Sequence, residues 1–230
     1  MDSGTAVSAV QELRAEVART ARMIAAAGLI EAFGHVSARL PDGGAAITST
    51  RPLLSAGAED VIVFDAAGRA VSGPLFDVPL EIWLHLAVYA ARPDVGGICR
   101  GHSPAAVAWG TGAAELPVLH GLGLLAGRRV QVYDDVALVS TPERGAAAAG
   151  RLGTYMAMLL RANGAIAVGA DPVEAATRLY AVEDRARVAL AARHLPGRVV
   201  PDADWNARGH DSAVELRRAR RWFTHRFDTC

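Results

Sequence analysis

The chain has 230 residues, 51% of them hydrophobic, with 24 acidic side chains balanced by 24 basic ones. That length supports one sizeable α/β core, the balanced charge gives no reason to expect nucleic acid or an anionic membrane as partner, and no apolar run is long enough to span a bilayer. Every basic residue is arginine, so Schiff-base catalysis and covalently attached pyridoxal phosphate, which need a lysine amine, are excluded.

In chain order, residues 8–28 carry Val10, Leu13, Val17, Ala21 and Ile24 at helical spacing, with Gly28 as the stop. The segments "HVSARL" (35–40) and "AAITS" (45–49) predict strands joined by a "PDGG" turn, followed by a buried strand "DVIVFD" (60–65) and a turn in "AAGRAV" (66–71) that leads into another. Pro79 opens a predicted helix that Pro93 stops, which puts Glu81 in its second turn. A strand "GGICR" (96–100) precedes a helix near 104–110, and "RVQVYD" and "VALVS" predict short strands. A helix is expected over roughly 143–161, then a strand "AIAVG" (165–169), a helix over 172–192 and a basic helix near 211–226. Strands and helices alternate without a linker, so one α/β domain is expected, residues 1–192 with 193–230 as its C-terminal extension. Cys99 and Cys230 do not make a disulfide framework, and the N-terminal segment carries acids where a signal peptide would carry basic residues, so a cytoplasmic location is expected.

Five short stretches carry side chains with chemical potential. Glu81 and His85 are four apart, so they share a helix face, and Glu81 lies near a helix N-terminus that favours a carboxylate. In "RGHSP" Arg100 and His102 alternate onto one side at the end of a strand, and Ser103 is a natural helix cap. Asn163-Gly164 precedes an apolar strand and reads most simply as a helix C-cap and turn. In "AFGHVSARL", His35 and Ser37 alternate onto one face. "TSTRP" offers Ser49 and Arg51 as an anion clamp. Taken singly, each has an ordinary structural explanation.

Together, in this order and spacing, "GHVSARL", "VIVFDAAGRAVSG", "PLEIWLHLAVYAARPDVGGICRGHSP" and "LLRANGAIAVGADPVEAATRLYAVEDRARVAL" resemble the class II aldolase/adducin-head family over about residues 8–192. The resemblance implies a single-domain, fuculose-phosphate-aldolase-like α/β/α fold with a central, mostly antiparallel sheet. It also implies a homo-oligomer, most simply a tetramer with active sites between neighbouring subunits. Members bind a divalent metal through three histidines and use a glutamate, matching Glu81, as acid/base. Here Arg100 stands for the first ligand, His102 for the second and Asn163 for the third. "GHVSAR" with His35, and "LHGLG" with His120, lean toward the aromatic-acid decarboxylase-like branch.

A site reduced to one imidazole holds Zn²⁺ or Mn²⁺ poorly. No metal is therefore expected, with His102 the ligand if any is retained. The primary expectation is an enzyme for a small anionic substrate that forms a carboxylate or enolate intermediate (a lyase, decarboxylase, dehydratase, isomerase or cyclase). Glu81, Arg100 and His102 would be catalytic, with His35, Ser37, Ser49, Arg51, His120 and Asn163 around the substrate. The alternatives are a conventional Zn-, Mn- or Fe-dependent aldolase or decarboxylase, and a non-catalytic oligomeric relative.

Overall fold

The computed structural model describes residues 3–112, 114–195, 200–207 and 212–228; Cys230 and Asp211, at the expected start of the basic helix, lie outside them. Helix α1 (Ser3–Ala26) leads into strands β1 (His35–Arg39), β2 (Ala45–Thr48), β3 (Val61–Phe64) and β4 (Ala70–Ser72). Helix α2 (Ile82–Ala91), strand β5 (Gly97–Gly101), helix α3 (Pro104–Gly110), strand β6 (Val130–Tyr133) and helix α4 (Pro142–Leu152) come next. The chain continues through β7 (Ala157–Leu160), β8 (Ala165–Gly169), α5 (Pro172–Ala192), α6 (Asp202–Ala207) and α7 (Ser212–Phe227).

Among the described residues, eight strands form one sheet in the order β4-β3-β2-β1-β5-β8-β7-β6. Every pairing is antiparallel except β6 with β7. That exception has a cause: β6 and β7 are joined through α4, and a helical crossover brings the chain back in the same direction.

Side-chain alternation divides the core into two layers. Val36, Ala38, Cys99, Ala165 and Ala167 face α1 and α5, while Ile98, Ile166, Val168 and Met158 face α2 and α4. Helices therefore cover both faces, as expected from the sequence. Burying Val17 and Ile24 of α1 removes two large apolar side chains from water, worth about 1.5–3 kcal/mol each. Helix α7 is tied to the body by the Arg220–Asp171 ion pair. No helix among the described residues is long and apolar enough to cross a membrane.

Four local expectations are corrected. The helix expected over 143–161 ends at Leu152, because Gly153 turns the chain with φ +53°. Beyond that turn the chain enters a strand, β7, whose "AMLL" reads as helix by propensity but is buried throughout in the sheet; burial overrides propensity here. "VALVS" (136–140) is not a strand, because the Asp135 carboxylate accepts from Ala137 N at 2.9 Å and bends the backbone. Asn163-Gly164 caps no helix but turns β7 into β8. Helix α2 begins only at Ile82, so Glu81 is its N-cap residue rather than part of its second turn.

Candidate active site

The centre of the sheet assembles the cluster. Register pairs His35 of β1 with Arg100 of β5, and Ser37 with Ile98. Since Ile98 faces α2, alternation puts Arg100, His35 and Ser37 on that same side. Helix α2 is fixed there by Arg39, whose guanidinium donates to the carbonyls of Tyr89, Arg92 and Val95 at 2.7 Å each and lies over the Tyr89 ring. This accounts structurally for much of the "RPDV" stretch.

Arg100 is fully buried. Its Nη1 donates to the Gly101 carbonyl at 2.7 Å, and its Nη2 lies 3.1 Å from His102 Nε2. Its Nε is 3.3 Å from Glu81 Oε2, close enough for an ion pair but not aligned as a hydrogen bond. Glu81 is itself 5% exposed. Burial pushes the Arg100 guanidinium below its ordinary pKa, opposed by the Glu81 charge.

His102 is reached through a close backbone approach. A Cβ on Gly164 would sit 2.1 Å from the Gly101 carbonyl oxygen and 2.8 Å from His102 Cα. Gly164 also has φ +81°, so only glycine fits. The hairpin turn thereby brings Asn163 Oδ1 to 3.1 Å from His102 Nε2. The other ring nitrogen, Nδ1, is 2.9 Å from the Phe33 carbonyl. A carbonyl only accepts, so Nδ1 carries the proton and Nε2 presents its lone pair to the Arg100 N–H. An amide nitrogen at the Asn163 position then satisfies the remaining contact better than its oxygen. Burial and then Arg100 lower the His102 pKa, partly offset by Phe33, Glu81 and Asn163.

Behind this lies a chain that the sequence only hinted at. Ser37 Oγ is 2.8 Å from His85 Nδ1 and 2.8 Å from the Tyr89 hydroxyl. Sequence reasoning missed Tyr89; the available signal was its i+4 spacing from His85. Burial pushes His85 down to about 3, with Arg100 adding to the shift. Burial, then His85, Arg100 and His102, hold His35 well below its usual range. The cluster thus sets the Arg100–Glu81 ion pair among imidazoles whose charged forms are disfavoured.

Of the residues singled out in the sequence, Glu81, Arg100, His102, His35 and Asn163 converge here, with Ser37 joined through His85. The structure gives the other three partners of their own. Ser49 is buried and accepts from Arg51 N at 3.4 Å. The Arg51 guanidinium is engaged by Asp60 at 2.9 Å and Asp77 at 2.8 Å, so an incoming anion competes with two carboxylates. His120 pairs with Asp184 of α5 at 2.9 Å. Ser103 sits at the N-cap of α3, but its hydroxyl makes no cap bond. Glu183 performs that task, accepting from Ala105 N and Ala106 N at 3.2 and 2.9 Å.

The three positions expected to hold a metal carry Arg100, His102 and Asn163. The His102 Nε2 lone pair is taken by a guanidinium, a fixed cation that would repel another. Among the described residues no three His, Cys, Asp or Glu side chains are grouped to hold an ion.

Known proteins share this architecture. The model of the Class II Aldolase and Adducin N-terminal domain matches residues 15–190. A 3,4-dihydroxyphthalate decarboxylase of Rhodococcus jostii (strain RHA1) is 27% identical over 220 residues, covering 85% of this chain and 87% of that protein. A methylthioribulose-1-phosphate dehydratase of Sorangium cellulosum (strain So ce56) is 35% identical over 106 residues, covering 45% of this chain and 50% of its own. Among solved structures, an L-fuculose 1-phosphate aldolase superposes with a TM-score of 0.79 over 90% of this chain and 96% of its own, at 24% identity, a likeness of fold.

Proposed function

The chain belongs to the class II aldolase and adducin N-terminal domain family, and from that premise we propose that it is a metal-independent lyase-type enzyme that decarboxylates a small hydroxylated, preferably aromatic, carboxylic acid. The observation that carries this reading is the Arg100 guanidinium seated against His102 Nε2, with Glu81 at its Nε. The similarity to a decarboxylase over most of both chains supports the reaction type.

In this reading the substrate enters at the half-buried edge formed by His102 and Asn163. Each terminal nitrogen of Arg100 makes one of its two possible hydrogen bonds within the protein. The second N–H on each is the donor for the oxygen on which negative charge grows as the carbon–carbon bond breaks. A fixed guanidinium in a site closed to water stabilises such charge without reorganising. Glu81, 3.3 Å from Arg100, accepts the proton of a substrate hydroxyl and returns it to the carbon that loses carbon dioxide. The leaving CO₂ gives up its bonding pair to that carbon, and solvent restores the hydroxyl proton, so one proton is consumed for each CO₂ released.

We propose a homotetramer as the working assembly. Phe33, whose carbonyl holds His102, and Leu80, beside Glu81, expose large apolar side chains at the flank of the cluster, which supports a neighbouring subunit covering it. Light scattering of the purified protein tests this; a monomer at micromolar concentration refutes it.

The reaction is tested by following CO₂ release from a panel of hydroxybenzoic and dihydroxyphthalic acids, with and without a chelator. Release that survives chelation and is lost in Glu81→Gln is expected. One bound metal per chain, with activity abolished by the chelator, overturns the metal-independent reading.

A further inference from the structure

Apart from Arg100 Nε, which faces Glu81 Oε2 as an ion pair, three buried polar atoms of the cluster have no hydrogen-bond partner: Glu81 Oε1, His85 Nε2 and His35 Nδ1. They lie on two elements that face each other. Glu81 and His85 are one helical turn apart at the start of α2. The His85 ring meets the His35 ring edge to face, with centroids 5.8 Å apart. Arg100 connects the remaining pair, since it stands opposite His35 in the sheet and touches Glu81. Unpaired buried polar atoms are costly, and three on facing elements call for a common partner.

The hydrogen-bond polarity can be worked out from the closed end of the chain. Tyr89 is 3% exposed, and its hydroxyl has Ser37 Oγ as its contact. If Tyr89 donates to Ser37, Ser37 donates its single proton to His85 Nδ1, and the His85 proton resides on Nε2. The reverse order would leave the Tyr89 proton without an acceptor. With the first order, the chain ends in an Nε2–H donor that itself has no partner. One water accepts from that donor and gives its two protons to Glu81 Oε1 and His35 Nδ1. All three orphans are then satisfied, and three bonds is the usual number for a buried water.

We propose that His35, Glu81 and His85 enclose one structural water, and that His85, oriented by the Ser37–Tyr89 chain, is a positioning residue that holds the Glu81 carboxylate through it. The assignment of His85 as a positioning residue rests on the proton-transfer role given to Glu81 above; the water and the histidine tautomer do not. Positioning of this kind matters because a carboxylate held by two groups, Arg100 at one oxygen and the water at the other, cannot rotate away from the substrate.

Two measurements on the substrate-free protein test it. A high-resolution crystal structure is expected to contain an ordered water within about 2.6–3.2 Å of all three atoms. A dry space, or a direct bond between any two of those atoms, overturns the proposal. Nitrogen-15 NMR of the imidazoles is expected to report His85 protonated at Nε2 only. Tyr89→Phe removes the first donor and should let the other tautomer appear, which a merely space-filling Tyr89 would not do. An Nδ1-protonated His85 in the unsubstituted protein, or no change in Tyr89→Phe, refutes the chain. Once a turnover assay exists, His85→Leu should lower kcat at least tenfold with KM little changed, and His85→Gln, which keeps an N–H near the Nε2 position, should recover most of it. Equal kcat losses in the two variants reject the positioning role while leaving the water result, and the function of Glu81, to stand or fall separately.

Discussion

Arg100 and Arg185 are the two largest fully buried side chains among the described residues, and they are buried in opposite ways. Arg185, on α5, gives its donors to five backbone carbonyls: Pro117 at 3.0 Å, Gly123 at 3.4 Å, Gly127 at 2.8 Å, Arg128 at 3.3 Å, and Leu116. It binds the connection between α3 and β6 to the body. Burial pushes its pKa down to about 10, with Glu115 opposing the shift. Arg100 instead meets one carbonyl, one imidazole and one carboxylate, keeps N–H groups in reserve, and lies among orphaned polar atoms. A guanidinium saturated by carbonyls is a staple. One left partly unsatisfied among titratable groups bears the cost of burial without a purely structural return, which is what a functional site does.

Breaking the staple should produce the largest effect. Arg185→Ala leaves five carbonyls facing an empty space and should cost about 3–5 kcal/mol of stability, seen as a large drop in denaturation midpoint. If stability changes by less than about 1 kcal/mol, the carbonyls find water and the contrast with Arg100 weakens.

Arg100→Ala should act on catalysis first, lowering kcat by about 10²–10³-fold, the range for loss of one preorganised donor to a developing oxyanion. Arg100→Lys keeps the charge but loses the fork, and should fall between. A sharper version is the double variant Arg100→His with Asn163→His, which should acquire stoichiometric zinc by calorimetry while losing native turnover. Zinc binding accompanied by a gain in native turnover would mean that the guanidinium is not the electrophile.

The turn that carries Asn163 allows a smaller, geometric test. Gly164→Ala, with φ +81° and a clash against the Gly101 carbonyl, should cost about 1–3 kcal/mol and displace Asn163 from His102. A structure of the variant with Asn163 unmoved would separate the strain from the site.

Least in size per step is the acid response. His35 and His85 are held neutral in the folded protein, with His85 at about 3, whereas in the unfolded chain both titrate near 6.5. Their folded pKa values are depressed, so their contribution is fully present above about pH 6.5 and is lost as pH falls. Below that point each should remove about 1.4 kcal/mol of stability per pH unit, for His85 down to about pH 3. Denaturation midpoints of His85→Gln between pH 7 and pH 4 should fall less steeply than those of the unsubstituted protein.

The sequence revealed the two arginines unequally. Arg100 drew attention because it stood where a motif expects histidine, and its neighbour His102 emerged from strand alternation. Arg185 gave no signal, since five carbonyl acceptors are backbone groups with no residue identity to read. The same limit hid Phe33, whose carbonyl sets the His102 tautomer, and Glu183, whose carboxylate caps a helix far from it in sequence. Alternating strands and proline-opened helices were legible because period and punctuation are local. Strand β7 was not, because what makes "AMLL" a strand is the β6 and β8 backbones on either side.

The hairpin seated on β5 also bears on how the protein folds. His102 meets Phe33 and Asn163 at sequence separations of 69 and 61. Contacts of such sequence separation are formed after the entropy of closing long loops has been overcome. Local pairings such as β7 with β8 can form early without creating the cluster. Arg100 acquires its surroundings only when β1 docks on one side of β5 and β8 on the other. In a refolding experiment, recovery of the His102 environment should therefore lag the recovery of helical signal and mark the closing of the middle of the sheet.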